Sequence, residues 1–242
     1  MFRTILWTLF LVLRTLFTAY DLLIVYILGA LGMREGQEER IAAVGRNWSR
    51  STFRATGSTV NVIGADLVPS DGAVLFVSNH QSNFDIALML GYIPRAKGFV
   101  AKIELHKIPL VRTWMYKMHS VFLDRKNLRQ SVLTMRKGVE ILKAGNSLVI
   151  FPEGTRSRGS RMGDFKRGSL SLAERANVPI VPVTIVDSYK ILEGNQKFRI
   201  TPSEVTVYVS EPIYPAALPK GQDLTALVQS TIAAKLPDND GE

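Results

Sequence analysis

The sequence contains no cysteine, so disulfide bonds, thiolate metal ligands and a cysteine nucleophile are all excluded. It also has no G-x-S-x-G elbow, no Walker-type phosphate loop, no dinucleotide-binding glycine fingerprint and no histidines at metal-ligand spacing. We therefore expect no metal and no bound cofactor. If the chain is an enzyme, we expect the nucleophile to belong to the substrate.

Positive charge and apolar residues are abundant. The formal net charge is +9, and 46% of the 242 residues are hydrophobic. That apolar fraction is ample for a folded core. The charge favours an anionic partner, such as nucleic acid, an acidic membrane surface or a phosphorylated substrate.

The N-terminal residues narrow the choice of partner. Residues 5–32 carry only Arg14 and Asp21 as charges, and the run is too long for a signal-peptide core but long enough to span a bilayer. Together with Arg3, these residues are spaced by eleven and seven positions, which aligns them within about 20° on a helix. This polar stripe could face a partner helix, or lipid headgroups if the helix lies in one leaflet.

A basic amphipathic segment follows, with Arg46, Arg50 and Arg54 at successive i+4 positions. Such a helix is typical of a membrane-surface element. We predict that residues 1–55 hold the protein on the cytoplasmic face of the cell membrane without crossing it, and that residues 56–242 form one domain. The alternative is a packed core helix followed by a solvated one.

Short β-branched runs dominate after Gly57 and alternate with helical stretches. The clearest helix is 127–143, where apolar residues repeat at 4-3-4-3 spacing. This alternation predicts an α/β domain with a mainly parallel sheet flanked by helices. The predicted strands are TVNVIG, AVLFVSN, KGFVAK, SVFLD, SLVIFP, PIVPVTIV and VTVYVS.

Polar clusters follow four of the predicted strands. In open parallel sheets the ligand site collects at the carboxyl ends of the strands, so we expect these clusters to form one site. They are Asn79-His80, Lys102, Asp124-Arg125, and the run Glu153, Gly154, Thr155 and Arg156.

His80 and Asp85 have the chemistry of a base and its orienting carboxylate. Imidazole accepts a hydroxyl proton near neutral pH when a partner fixes its tautomer, and Asp85 lies close enough along the chain to be that partner. Capping of the next helix by Ser82 or Asn83 is the simpler structural interpretation and is compatible with the dyad. The dyad would activate a substrate alcohol, which attacks an activated acyl group.

The cationic residues of the predicted site fit an anionic acceptor. Arg125 and Arg156 can each make forked contacts with phosphate, and Lys102 adds a point charge. Glu153 would repel phosphate, so we expect it to accept hydrogen bonds from hydroxyls or to pair with an arginine.

Five short sequence blocks follow one another between residues 79 and 183. They are NHQSNFD (79–85), KIEL (102–105), VFLDR (121–125), FPEGTRS (151–157) and VPIVPV (178–183). In this order they resemble the blocks of the 1-acylglycerol-3-phosphate acyltransferase (lysophosphatidic acid acyltransferase) family, in its compact bacterial form. A further segment, FKRG (165–168), resembles the family's basic segment.

The resemblance implies a glycerolipid acyltransferase-like fold and an N-terminal helical pair seated in one leaflet. It implies that His80 is the general base and that Asp85 orients it. The acceptor would be lysophosphatidic acid in the membrane, the co-substrate acyl-CoA or acyl-acyl carrier protein, and the product phosphatidic acid for phospholipid biosynthesis.

The resemblance also implies a set of substrate-binding residues. Lys102, Arg125 and Arg156 would bind the acceptor phosphate. Glu153 and Gly154 would shape the glycerol site, and Thr155 belongs to the same substrate-binding run.

Three alternatives stay open on the sequence. One is an acyltransferase for another acceptor, such as glycerol-3-phosphate or a lyso-aminolipid. The second is a non-catalytic protein that binds anionic lipid or nucleic acid, although no aromatic stacking platform accompanies the basic residues and we expect no nucleic-acid partner. The third is a hydrolase in which His80 activates water.

Overall fold

A seven-stranded sheet forms the centre of the computed structural model, which describes residues 2–166 and 168–237. Arg167 of the FKRG segment lies outside the described residues. All seven predicted strands are present. They are β1 (Thr59–Ile63), β2 (Leu75–Ser78), β3 (Lys97–Lys102), β4 (Val121–Leu123), β5 (Ser147–Ile150), β6 (Ile180–Val186) and β7 (Glu204–Val209).

Helices cover both faces of the sheet. Within the described residues they are α1 (Phe2–Ala30), α2 (Arg34–Arg54), α3 (Phe84–Gly91), α4 (Pro109–Lys117), α5 (Leu128–Lys143), α6 (Ser171–Ala176) and α7 (Leu224–Ala233). The helix predicted at 127–143 is therefore confirmed as α5.

The strand order is β1-β7-β6-β2-β5-β3-β4. Among the seven described strands, β6 and β7 pair antiparallel, and all other neighbours run parallel. The prediction of a mainly parallel sheet flanked by helices is confirmed. Since β2, β3, β4 and β5 share one direction, their carboxyl ends meet at one edge of the sheet.

The two faces of the sheet bury separate apolar layers. On β2, which is buried along its whole length, Phe76 points into the layer that contains α3, whereas Leu75 and Val77 point into the layer that contains α6 and α7. This alternation follows from the two-residue period of a strand. Burial on both faces explains why the strand sequence is continuously apolar.

Helix α5 is packed along only part of its apolar stripe. Asn127 caps its N-terminus by accepting a hydrogen bond from the Gln130 N–H at 3.0 Å. At that end, Leu128 and Val132 are 81% and 56% exposed. The later residues of the stripe contact the core: Met135, Val139 and Leu142.

The N-terminal helices α1 and α2 form an antiparallel pair, and α1 is long and apolar enough to cross a membrane. Two of the three residues of the polar stripe face α2, since Arg14 Nε donates to Ser51 Oγ at 3.3 Å and Asp21 pairs with Arg40. For these two residues the partner-helix interpretation of the stripe is correct. The contacts with α2 account for the position of both side chains in an apolar helix, without a role for lipid headgroups.

Helix α1 also lies along the α/β domain. The Ile200 N–H donates to Thr4 Oγ1 at 3.0 Å, Trp114 Nε1 donates to Thr18 Oγ1 at 2.9 Å, and Lys117 Nζ lies 4.5 Å from the centre of the Tyr26 ring. The contacts therefore extend over most of the length of the helix.

The basic face of α2 turns partly toward the α/β domain. Arg50 Nε donates to the carbonyl of Gly91 at 2.6 Å, at the end of α3. The basic face was predicted to be a membrane-surface element, and Arg50 departs from that prediction because it contacts the α/β domain. Helix α2 ends at Arg54 and β1 begins at Thr59, on either side of the predicted boundary. The division of the chain into a membrane-associating part and a catalytic domain stays a prediction.

Candidate active site

The polar clusters that follow the strands meet at one cavity of about 540 Å³ at the carboxyl edge of the sheet. A volume of this size is within the range of small-molecule sites. Most of the predicted site residues line it: His80, Lys102, Arg125, Gly154, Thr155 and Arg156. The remaining two, Asp85 and Glu153, are buried and do not line the cavity.

His80 and Asp85 form a close pair. His80 Nδ1 lies 2.7 Å from Asp85 Oδ2, and Asp85 is fully buried. The imidazole stacks on the Phe151 ring at a centroid distance of 4.1 Å and an angle of 18°. A carboxylate beside Nδ1 favours the tautomer with the proton on Nδ1. Nε2 is then free to accept a proton from a molecule in the cavity.

The Asp85 carboxyl group is satisfied by three further donors. The N–H groups of Gln81 and Ser82 donate to Oδ2 at 2.7 and 2.9 Å, and the hydroxyl of Ser188 donates to Oδ1. An unsatisfied buried carboxylate would be costly. Ser82 Oγ also accepts from the N–H of Phe84, the first residue of α3, at 3.1 Å. Asn83, the N-cap residue, makes no side-chain cap hydrogen bond, so of the two predicted caps only Ser82 contacts the start of the helix, and it does so beside the dyad.

Strand β6 and the segment after it hold the His80–Asp85 loop from behind. Asn79 Nδ2 donates to the Ile185 carbonyl and Asn79 Oδ1 accepts from the Ile185 N–H, both at 2.8 Å. Glu193 accepts from Ser82 Oγ at 2.6 Å and from the Asn83 N–H at 2.9 Å. Strand β6 and this segment therefore fix the position of the loop that carries the base.

Sequence reasoning missed Ser188 and Glu193. Both follow β6, more than 100 positions after the loop that they contact. Serine and glutamate are ordinary in such a connection, so no pattern in the sequence marks them.

Glu153 supports the main chain of the site. Its Oε1 accepts from the His80 N–H at 2.6 Å and its Oε2 from the Gly163 N–H at 2.8 Å. Burial raises the pKa of Glu153, while these two hydrogen bonds act in the opposite direction. Among the described residues Glu153 forms no ion pair with an arginine, and both of its oxygens accept from backbone N–H groups instead. The next residue, Gly154, has φ of +75°, which a side chain would strain.

The two predicted phosphate-binding arginines have different surroundings. Arg156 Nη1 donates to Glu193 Oε1 at 2.9 Å. Arg125, by contrast, makes no ion pair within residues 2–166 and 168–237. Burial lowers its pKa from the usual value and the nearby Glu104 carboxylate opposes that effect. Arg125 is therefore the more available cation for an anionic ligand.

The wall of the cavity combines cationic and apolar side chains. Its cations include Lys102, Arg125 and Arg158. Its apolar side chains come from α2, α3, β3 and α4, and are Val44, Trp48, Leu90, Phe99, Trp114 and Met115. This arrangement suits an amphiphile with an anionic head and an apolar chain.

No three His, Cys, Asp or Glu side chains are grouped as metal ligands anywhere in the described part of the chain. The absence of a cofactor stays a prediction.

Comparisons with known proteins agree with these features. A model of the family described as Acyltransferase matches residues 59–186. The chain is 38% identical over 152 residues to a probable 1-acyl-sn-glycerol-3-phosphate acyltransferase of Mycoplasma pneumoniae, an alignment that covers 59% of this chain and 55% of that protein. It is 34% identical over 156 residues to the chloroplastic 1-acyl-sn-glycerol-3-phosphate acyltransferase LPAT1 of Arabidopsis thaliana, covering 64% and 44%. The chain spans about half the length of these curated relatives.

A solved structure is similar over nearly the whole chain. The crystal structure of the 1-acyl-sn-glycerophosphate (LPA) acyltransferase PlsC from Thermotoga maritima matches with a TM-score of 0.77 and 30% identity. The match covers 96% of this chain and 95% of that one.

Proposed function

The chain belongs to the acyltransferase family, and we propose that it transfers an acyl chain from an acyl thioester to the sn-2 hydroxyl of 1-acylglycerol-3-phosphate. The product is phosphatidic acid, an intermediate of phospholipid biosynthesis. The observation that carries the proposal is the cavity, whose wall combines His80 with cationic and with apolar side chains. The acceptor has the matching groups, a hydroxyl between a phosphate and an acyl chain. We place the phosphate at a cationic end of the cavity, the acyl chain at an apolar end and the hydroxyl at His80 between them.

His80 acts as the general base in this reaction. Its Nε2 takes the proton of the sn-2 hydroxyl while the oxygen forms a bond to the thioester carbonyl carbon. When the tetrahedral intermediate collapses, the C–S bond breaks, and the departing sulfur takes a proton from the imidazolium. Asp85, 2.7 Å from Nδ1, stabilises that imidazolium and keeps the ring oriented.

The phosphate of the acceptor binds at the cationic end. Arg125 makes forked contacts and Lys102 adds its charge, and both lie on the cavity wall. Arg156 contributes a smaller share of the phosphate contacts, because Glu193 already accepts from its guanidinium. Thr155 and Gly154 lie beside the glycerol.

The apolar end takes the acyl chain. Aromatic and aliphatic side chains from α2, β3 and α4 line it, which suits a hydrocarbon tail. The donor is acyl-CoA or acyl-acyl carrier protein, used as a co-substrate. The steps given above need no metal and no bound cofactor.

The protein works at the cytoplasmic face of the cell membrane. Helix α1 exposes apolar side chains along its length, such as Leu9 and Leu16, which are 54% and 58% exposed. Large exposed apolar surfaces of this kind are membrane or partner contacts. We place α1 in one leaflet, so that the lysolipid enters the cavity from the membrane plane.

An assay with the purified protein and an acyl thioester, with and without lysophosphatidic acid, tests the proposal. We expect thiol release that depends on the acceptor, together with formation of phosphatidic acid. Thiol release without an acceptor would instead indicate a hydrolase. Thiol release that requires glycerol-3-phosphate or a lyso-aminolipid would show that the acceptor is that compound and not lysophosphatidic acid.

A further inference from the structure

Most of the net charge of the protein comes from one part of the chain. Residues 102–143 contain ten Lys and Arg and only three Asp and Glu, so that this segment carries +7 of the total +9. It forms α4, β4 and α5, and β4 is the edge strand of the sheet. The excess charge is therefore concentrated at one edge of the domain.

The same edge exposes large apolar side chains. On α4 and just before it, Ile108 and Tyr116 are 49% and 48% exposed. On α5, Leu128, Val132 and Leu133 are 81%, 56% and 57% exposed. These five residues, with the exposed cations Lys126, Arg129 and Arg136 of the same segment, are called the edge surface below.

Contacts between the two helices join the edge surface into one face. Lys137 Nζ of α5 lies 5.9 Å from the centre of the Tyr116 ring of α4. Residues 112 and 116 are at i+4 spacing and share one face of α4, which Ile108 precedes as the N-cap residue, and residues 128 and 132 share one face of α5. The apolar side chains are thus interspersed with cations.

The edge surface borders both the N-terminal helices and the cavity. Helix α4 contacts α1 through Trp114–Thr18 and Lys117–Tyr26. Arg125, next to Lys126 in the chain, lines the cavity. A flat partner that covers α1 can therefore extend over the edge surface and reach the mouth of the cavity.

We propose that the edge surface is a second membrane-contact site, for a bilayer with anionic headgroups. The edge surface combines single aliphatic side chains and a tyrosine with lysines and arginines. Such a mixture suits the headgroup region of a bilayer, because the apolar side chains can insert between the lipids while the cations bind the lipid phosphates. Continuity with α1 favours a bilayer over an acidic carrier protein, which the charge alone would also attract. The inference assumes that α1 is in a leaflet but does not depend on the reaction.

The absence of cysteine allows a direct test with single labelled positions. In the full chain, Leu128→Cys and Val132→Cys carry an environment-sensitive fluorophore. Leu9→Cys, labelled in the same way, reports whether α1 contacts the vesicle. Ile63→Cys, an exposed apolar position on the opposite edge strand β1, is the matched control. Each variant is mixed with vesicles of phosphatidylcholine, with or without phosphatidylglycerol.

We expect the labels at 128 and 132 to shift to shorter wavelength and to be quenched by spin-labelled lipid on the anionic vesicles, while the label at 63 does not change. High salt shortens the Debye length from about 10 Å at 0.1 M to about 3 Å at 1 M, and should reverse the shift at 128 but not at 9. Lys126→Glu combined with Arg129→Glu should abolish the shift at 132 in the same way.

Two results would overturn the proposal. One is a shift at 9 without a shift at 128 or 132, which would show that the edge surface faces away from the bilayer. The other is a shift at 128 that requires an acidic acyl carrier protein and not anionic lipid. Neither readout uses enzyme activity, so failure of the proposed reaction leaves the test intact.

Discussion

The hydroxyl of Ser188 donates a hydrogen bond to Oδ1 of Asp85, a residue 103 positions earlier in the chain. The other carboxylate oxygen, Oδ2, contacts His80 Nδ1 at 2.7 Å. Ser188 thus fixes the carboxylate that in turn fixes the imidazole. It touches neither the cavity nor the proposed substrate, and is a positioning residue.

Replacing Ser188 tests this role. We expect Ser188→Ala to lower kcat roughly tenfold or more with little change in KM, since a hydrogen bond to a charged group contributes about 1.5–3 kcal/mol. Ser49→Ala is the matched control, because Ser49 is fully buried and its hydroxyl has no partner among the described residues. Equal steady-state kinetics for the two variants would show that Ser188 has no part in positioning the dyad.

Substitutions of the dyad residues themselves should lower the rate more than Ser188→Ala does. We expect His80→Ala to lower the acceptor-dependent rate by about 10²–10⁴-fold, the usual contribution of a general base. Asp85→Asn should cost as much or less, because Asp85 acts through His80. Thermal unfolding of both variants checks the fold. A folded His80→Ala protein with near-normal turnover would rule out the proposed mechanism.

Substitutions of the two arginines should have different effects on the kinetic constants. Arg125→Ala should mainly raise the KM for lysophosphatidic acid, because Arg125 has no ion pair in the described part of the chain. Arg156→Ala should also lower kcat and the melting temperature, because Glu193 links Arg156 to the loop of His80. A phosphate-free lysolipid is the control substrate. An equal loss with that acceptor would assign Arg125 to structure or to the donor.

The fold and the location of the site were predictable from local patterns. Apolar β-branched runs and helical repeats identified all seven strands and α5, because these patterns reflect burial on a sheet or a helix face. The site followed from one further rule, that parallel strands bring their carboxyl ends together. His80, Lys102 and Arg125 were found in this way.

Contacts between distant segments were not predictable. Glu153 was expected to contact an arginine or substrate hydroxyls, but its oxygens accept from the backbone of His80 and of Gly163. Glu193, which was not predicted, is the partner of Arg156. Which carboxylate meets which donor depends on how loops fold over the strand ends, and no local pattern encodes that.

Lys97 should make stability depend on pH. Its Nζ donates to the carbonyls of Met89, Ile93 and Arg95 at 3.1, 2.8 and 2.7 Å, and burial lowers its pKa from 10.5 to about 7. Between these two values the unfolded chain binds more protons than the folded one, so the free energy of unfolding should rise with pH.

Urea unfolding measured from about pH 7.5 to 9.5 checks this. The contribution of Lys97 to the slope is at most about 1.4 kcal/mol per pH unit. Lys97→Met should be less stable overall, because the buried carbonyls around Nζ lose their donor, and it should lack this part of the slope. If the variant and the parent protein showed parallel pH profiles, the pKa of Lys97 would not be lowered in the folded state.

The position of α1 in the membrane leads to the last prediction. Its 29 residues are about 43 Å long, enough to cross a bilayer, yet its contacts with the α/β domain extend from Thr4 to Tyr26. A crossing helix would have to break most of these contacts or draw the domain into the hydrocarbon. We therefore expect the N-terminus to be cytoplasmic. Fused there, a reporter that works only in the cytoplasm should be active, and one that works only outside it should be silent. The same reporters at the C-terminus are the control. If the outside reporter were active at the N-terminus alone, α1 would span the bilayer and the one-leaflet arrangement would be wrong.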